Sequence, residues 1–168
     1  MNINAMPARF FACLMSTFVF AVLLYPFLAR ADTPAQTQKA IQAVCNCAAA
    51  SYDRRDLSGF MALYAPNFTE KSVPGRKSNR LQLIAGAAII FANNDEKPTS
   101  SCTVSQVVSQ GNQAKAVLHW HHVTHSLRSA LAYTVIRDFQ AQTLWKKTAG
   151  GWLEASADVT RSIIDYRR

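Results

Sequence analysis

The sequence predicts an α+β domain in which helices pack on one face of a curved antiparallel sheet. Between residues 38 and 92, apolar residues recur at intervals of three and four, which is typical of amphipathic helices. Beyond residue 102, apolar and polar residues alternate in long runs separated by glycine turns, which is typical of strands. Helices first and strands afterwards indicate two segregated layers.

The first helix is predicted over about residues 38–52. Its apolar side is formed by residues three and four apart, namely Ile41, Val44, Cys45, Ala48 and Tyr52. The stretch 32–37 is polar and contains Pro34, so we expect a flexible lead-in there and a domain that extends over residues 38–168.

Two further helices are predicted in the first half of the chain. A short helix runs from Leu57 to Tyr64 behind Asp56, which is a favourable N-cap residue. A longer helix runs from Arg80 to Ala92, and either Ser78 or Asn79 can cap it. These segments complete the set of three N-terminal helices.

The strands fall into two groups. Two short strands, residues 68–73 and 76–79, are predicted around the Pro74-Gly75 turn, although the second of them is also compatible with a loop. Longer strands are predicted over residues 102–109, 113–126, 130–147 and 152–161, and the tail can continue the last one. Glycine turns join the first two and the last two of these strands, and a loop over residues 126–129 joins the middle pair, which predicts an antiparallel meander.

The N-terminus has the features of a secretory signal peptide. An apolar run from Phe10 to Leu28 follows Arg9 and precedes Ala29-Arg30-Ala31, so cleavage is expected after Ala31. The alternative is an uncleaved anchor, because the run is long enough to span a bilayer. We expect a signal peptide at residues 1–31, a periplasmic or secreted mature protein, and no stable membrane insertion after cleavage.

Charge and cysteine content limit the functional classes. Removal of Arg9 and Arg30 leaves 16 basic and 10 acidic residues, a net charge of +6. The basic residues are scattered without interleaved aromatic residues, so nucleic-acid binding is not expected. An oxidising compartment permits one disulfide bond, from Cys102 to either Cys45 or Cys47, and the alternative is three separate thiols.

All four histidines lie in the predicted strand 113–126. Because side chains alternate along a strand, His119, His121 and His125 share one face and His122 lies on the other. Three interpretations remain open: surface or interface histidines, a general base or ligand-binding group, and a metal site. No Asp or Glu at a recognisable spacing supports the metal site, and no metal or other cofactor is expected.

Four stretches of sequence resemble the nuclear transport factor 2-like superfamily, also called the SnoaL-like or cystatin-like fold. They are YDRRDLSGFMALYAPNFTEKSVPG, SNRLQLIAGAAIIFANN, GNQAKAVLHW and LWKKTAGGWLE, and the resemblance covers about residues 38–161. It implies a cone-shaped domain whose strongly curved sheet and helices enclose a cavity. Members of the superfamily use this cavity in isomerases, dehydratases, cyclases, hydrolases and binding modules, so the fold does not determine the function.

The resemblance to ketosteroid isomerases within this superfamily suggests site residues. The position of their catalytic aspartate falls near Ser72, and the nearest acid is Glu70. Tyr52 could act as the hydrogen-bond donor and Asp138 as the second acid. We predict His121, His119 and Glu70 as candidate catalytic residues. Two alternatives stay open for the strand 113–126: either the face with Leu118, Trp120 and His122 lines the cavity, or the face with His119 and His121 does. We favour the second, because Glu70 and a histidine pair make a more workable polar pocket. The predicted cavity lining comprises Tyr52, Tyr64, Phe68, Trp120, His122 and Asp158.

Three functional hypotheses follow. The first is an exported protein that binds a small, largely apolar molecule in its cavity. The second is an isomerase, dehydratase or cyclase that uses a cavity histidine or glutamate as general acid or base. The third is a non-catalytic dimerising module. The resemblance also implies a homodimer formed through the face of the sheet.

Overall fold

The computed structural model describes residues 32–92, 96–126 and 133–167. Its three helices are α1 (Pro34–Asp53), α2 (Leu57–Met61) and α3 (Arg80–Ala92). Its six strands are β1 (Tyr64–Lys71), β2 (Lys77–Asn79), β3 (Glu96–Gln110), β4 (Gln113–Ser126), β5 (Thr134–Thr148) and β6 (Gly151–Arg167). The predicted signal peptide lies outside the described residues. No helix among the described residues is long and apolar enough to cross a membrane.

The predicted flexible lead-in is wrong, because helix α1 already begins at Pro34. Thr33 is the N-cap, and its hydroxyl accepts a hydrogen bond from the backbone N–H of Gln36. The Gln36 side chain accepts one in return from the backbone N–H of Thr33. Proline at the first helical position is favourable because its missing N–H has no partner within a helix. The second helix is shorter than predicted, since the chain enters β1 at Tyr64.

The sheet is mixed, which corrects the prediction of a wholly antiparallel sheet. Its strand order is β2-β1-β6-β5-β4-β3, and the pairing of β1 with β6 is parallel. The other neighbours pair antiparallel, and β3 to β6 form the predicted meander. The last strand therefore lies in the interior of the sheet and connects the short β1–β2 hairpin to the long strands.

Helix α1 packs on the face of the sheet that we call the inner face. Gln42 binds β3 twice, because its side-chain amide donates to the Cys102 carbonyl and its oxygen accepts from the Val104 N–H, both at 2.8 Å. A disulfide bond joins Cys45 to Cys102, whose Cα atoms are 5.6 Å apart. Cys102 therefore pairs with Cys45 and not with Cys47, a choice that the sequence left open.

Large apolar side chains fill the space between the helices and the inner face. The most deeply buried include Ile41 on α1, Phe68 on β1, Leu118 on β4 and Trp145 on β5. Alternation along β4 places Ala114, Ala116, Leu118, Trp120, His122 and Thr124 on this face. We call the opposite side of the sheet the outer face.

A β-bulge in β6 changes which residues face inward. Trp145 pairs with Glu154, whereas the preceding residue, Leu144, pairs with Ser156, so Ala155 is an extra residue in β6. A bulge of this kind interrupts the strict alternation of side chains. Beyond it, the odd-numbered Ala157 is buried and Asp158 is exposed on the outer face.

Candidate functional site

Two glutamates and a tyrosine lie together on the inner face and form what we call the acid cluster. Tyr64 and Glu154 are direct neighbours in the β1–β6 ladder, and the Glu154 N–H donates to the Leu63 carbonyl at 2.9 Å. Glu70 lies further along β1, opposite Ala157 of β6. The acid cluster therefore depends on the parallel pairing of β1 with β6.

Burial dominates the electrostatics of the acid cluster. It raises the pKa of Glu154 to about 8, and the negative charge of Glu70 contributes to the same shift. Burial also raises the pKa of the Glu70 carboxyl group. The pKa of the Tyr64 phenol is raised well above its ordinary value by burial first, then by Glu154 and Glu70. At neutral pH, Glu154 and Tyr64 are thus mainly protonated and can donate hydrogen bonds.

Apolar groups surround the acid cluster. The Tyr64 ring lies 4.6 Å from the Phe68 ring and 5.4 Å from the Phe60 ring, both in edge-to-face geometry. Phe68 in turn packs with Ala141 and Ala157 on the inner face. The donors of the cluster therefore lie in surroundings of low polarity, where each hydrogen bond is stronger than it is in water.

A second group on the inner face, the aromatic cluster, is built around Tyr52 and His122. The Tyr52 ring lies 4.6 Å from the His122 ring, and the Trp120 ring stacks against the His122 ring at 5.3 Å. The remaining members are Phe60, Phe91 and Phe139. Because Phe60 contacts both Tyr52 and Tyr64, the two clusters form one continuous aromatic layer.

His122 is a buried, uncharged histidine. Only 7% of its surface is exposed, and its Nδ1 lies 2.8 Å from the Ser100 hydroxyl oxygen. Burial lowers the pKa of His122 to about 4, and the positive charges of Arg137 and His121 contribute, against an opposing effect of Asp138. Beside it, a gap of only about 10 Å³ is lined in part by Tyr52 and Thr124. That space is about the size of one water molecule.

Of the two alternatives for β4, the face with His119 and His121 is the outer face, so the face that packs beneath the helices carries Leu118, Trp120 and His122 instead. His121 is about half exposed, and its Nδ1 lies 2.6 Å from a carboxylate oxygen of Asp138. His119 is exposed as well, next to Gln140 of β5. Asp138, considered above as the second acid of the site, therefore lies with His121 and apart from the acid cluster.

Asp158 also lies on the outer face, where it lines a surface depression and not the space beneath the helices. Strict alternation from Trp152 would turn Asp158 inward, but the extra residue Ala155 reverses the alternation. The Asp158 carboxylate instead lies 3.5 Å from the Lys71 ammonium group, and both side chains are about half exposed.

A depression with a volume of about 790 Å³ crosses several strands. Most of its lining side chains belong to the outer face, including Lys71, Lys115, Gln142 and Asp158. It is open to solvent, unlike the internal cavity that the sequence predicted. Within the described part of the chain, no group of three His, Cys, Asp or Glu side chains is arranged to hold a metal ion.

The structure thus brings together some of the predicted residues and separates others. Tyr64, Phe68 and Glu70 lie at the acid cluster, whereas Tyr52, Trp120 and His122 form the aromatic cluster. Sequence reasoning missed Glu154, which is 6% exposed. A signal was available, since Glu154 lies two residues after Trp152 on a strand with one apolar face.

Comparison with solved structures identifies the architecture. A nuclear transport factor 2-like superfamily protein from Salmonella enterica aligns with a TM-score of 0.62 at 16% identity, covering 76% of this chain and 92% of that one. A ketosteroid isomerase-like protein from Erwinia carotovora gives 0.56 at 14% identity, covering 75% and 98%. A domain of unknown function with a cystatin-like fold from Nostoc punctiforme gives 0.56 at 18% identity, covering 79% and 80%.

No family model matches the sequence, and no curated protein matches it. At these identities the likeness concerns the fold alone. The fold resemblance predicted from the sequence is confirmed: with three helices and a six-stranded mixed sheet in this order, the chain has the nuclear transport factor 2-like fold.

Proposed function

We propose that this protein binds a small, largely apolar molecule on the inner face of its sheet, and that the acid cluster contacts a polar group of that molecule. The observation that carries the proposal is the position of Glu154, a buried carboxyl group beside Tyr64 in an otherwise apolar and aromatic layer. Buried carboxyl groups are rare in protein cores unless they are paired or have a function.

The chemistry of the cluster favours a ligand with a carbonyl oxygen. A protonated carboxyl group and a phenol are both donors, so Glu154 and Tyr64 together suit one oxygen acceptor. The rings of Phe60 and Phe68 supply an apolar surface for the body of the ligand. A ligand of this kind must displace part of the aromatic layer as it enters.

Two matched compounds test the proposal. In equilibrium dialysis, 2-acetylnaphthalene should bind at least about tenfold more tightly than 2-ethylnaphthalene, because only the ketone can accept a hydrogen bond. Glu154→Leu should remove this difference, whereas Asp158→Leu on the outer face should preserve it. Equal binding of both compounds to the wild-type protein, or no binding, would contradict the proposal. If the ketone binds as expected, mass spectrometry of compounds that co-purify with the protein would identify the natural ligand.

A second candidate function is acid–base catalysis at the same site. The observation that favours it is the half-buried Glu70 on the same face as Glu154 and Tyr64. The ionised Glu70 carboxylate would remove a proton from the carbon next to the ligand carbonyl. Glu154 and Tyr64 would donate hydrogen bonds to the resulting enolate oxygen, and Glu70 would return the proton to carbon.

Deuterium exchange separates catalysis from binding. In D₂O, the methyl protons of 2-acetylnaphthalene should exchange faster with the protein than without it, as followed by NMR. Glu70→Gln should slow the exchange by about 100-fold or more while the affinity for the ketone stays similar. His121→Ala should leave the rate unchanged, since that side chain lies on the outer face. A loss of exchange in His121→Ala would restore the catalytic role predicted for this histidine.

We also propose that the protein is exported and forms a homodimer through the outer face. The signal-like residues 1–31 and the Cys45–Cys102 disulfide bond support export. Charges of both signs at the outer depression, such as Lys115 and Asp158, suit pairing between two identical faces. N-terminal sequencing of the expressed full-length chain tests the first point. Light scattering of the wild type and of Lys115→Glu tests the second, and a monomeric wild type would contradict it.

A further inference from the structure

Helix α3 exposes a line of apolar side chains on the surface of the domain. Leu81, Ala85 and Ile89 follow one another at intervals of four residues, so they lie on one side of the helix. The exposed fraction is 73% for Leu81 and 75% for Ile89. Large apolar side chains exposed in a row on one helix are unusual for a domain surface and mark a contact site.

The exposed line is not required for packing within the domain. The opposite side of α3 supplies Ala87 and Phe91 to the core, and Phe91 packs against Tyr52 and Phe60. The helix is therefore held in place by one side, while the other remains available for a partner.

The segment that contains this helix carries only positive charges of its own. Residues 72–92 contain three basic residues and no Asp or Glu. Arg76 and Lys77 are exposed just before the helix, whereas the Arg80 guanidinium donates to the Met61 carbonyl at 3.0 Å. An apolar line next to exposed cations complements a partner whose outermost layer is negatively charged and whose next layer is apolar.

We propose that α3, together with Arg76 and Lys77, docks this protein on the surface of a membrane that contains anionic lipid. The helix lies in the plane of the interface, with Leu81 and Ile89 among the upper acyl chains and the cations near the phosphates. Its 13 residues give a length of about 20 Å along the interface. Such docking requires no membrane crossing, and it places an apolar ligand site next to the phase in which apolar molecules dissolve.

Vesicle sedimentation tests this docking with the full-length chain purified from an expression host. The wild type should bind vesicles with about 30% phosphatidylglycerol and should bind much less to pure phosphatidylcholine. Leu81→Gln/Ile89→Gln should lower the partition coefficient at least about tenfold, because two apolar anchors are lost. Arg76→Gln/Lys77→Gln should lower binding to the anionic vesicles only, and added salt should have the same effect on the wild type.

Val108→Gln is the matched control, since Val108 is 69% exposed but lies on β3. It should bind like the wild type. All variants carry the same N-terminus, so any contribution of residues 1–31 cancels in the comparison. Each replaced side chain is exposed, and unchanged thermal unfolding would show that the variants are folded.

Two results would overturn the proposal. One is equal vesicle binding by the wild type and by Leu81→Gln/Ile89→Gln. The other is a wild type that does not bind vesicles and that elutes as a dimer, while Leu81→Gln/Ile89→Gln elutes as a monomer. In that second case, α3 contacts another copy of this chain instead of lipid.

Discussion

His121 and His122 are adjacent in the sequence and lie in opposite environments. His122 is buried between Tyr52 and Trp120 on the inner face, and burial lowers its pKa to about 4. His121 is half exposed on the outer face and pairs with Asp138. The difference shows that position in the ladder, more than residue type, determines what a side chain of this strand can do.

The same contrast separates the carboxyl groups of β6. Glu154 lies among apolar groups, where the charged form of a carboxylic acid is unfavourable, whereas Asp158 is exposed at the surface beside Lys71. Comparing a variant on the inner face with a variant on the outer face therefore tests the strand register and the differences in pKa and stability that we infer from it.

The largest expected effect concerns the pH dependence that Glu154 gives to stability. Between pH 4.5 and 8 the folded state holds a proton that the unfolded state has released, so the free energy of unfolding should fall as pH rises through this window. At about 1.4 kcal/mol per pKa unit, the loss amounts to as much as about 5 kcal/mol. Urea unfolding should show that Glu154→Gln removes this loss and that Asp158→Asn retains it.

Truncation of neighbouring side chains in β4 should have unequal effects on stability. Trp120→Ala should lower the free energy of unfolding by about 3–5 kcal/mol, because the ring is 6% exposed and packs on His122 and Phe139. His119→Ala should change it by no more than about 0.5 kcal/mol. Urea unfolding of the two variants at pH 7 measures the difference, and similar values would show that the inner and outer faces are misassigned.

His122 should give stability a smaller pH dependence, opposite in sign to that of Glu154. Between pH 6.5 and 4 the unfolded state binds a proton that the folded state does not, so stability should decrease as pH falls through this window. The decrease is up to about 3 kcal/mol. His122→Phe keeps an aromatic ring and should abolish this dependence, whereas His121→Ala should leave it in place. Unfolding curves recorded in the Glu154→Gln background isolate the histidine contribution.

Local signals in the sequence predicted most of the elements. Helix α3 has the predicted bounds, since Asn79 caps it and a long apolar run follows, and β4 also has the predicted bounds. The start of α1 was missed because Pro34 was interpreted as a breaker, although Thr33 and Gln36 form a capping box. The parallel pairing of β1 with β6 has no local signal, because it joins residues far apart in the chain.

The candidate site was predicted only in part, for the same physical reason. Glu70 and Tyr64 were identified from residue type and order, but their partner Glu154 comes from the distant strand β6. Asp158 was placed inward because a β-bulge leaves little trace in an alternating pattern. The choice between the faces of β4 depended on where α1 packs, which no residue within β4 specifies.

The interior position of β6 has a consequence for the order in which the domain can be assembled. Tyr64 and Glu154 are 90 positions apart, and β6 is synthesised after the other five strands of the sheet. A chain that ended at Thr148 would leave both β1 and β5 with unpaired edges, a state that favours aggregation.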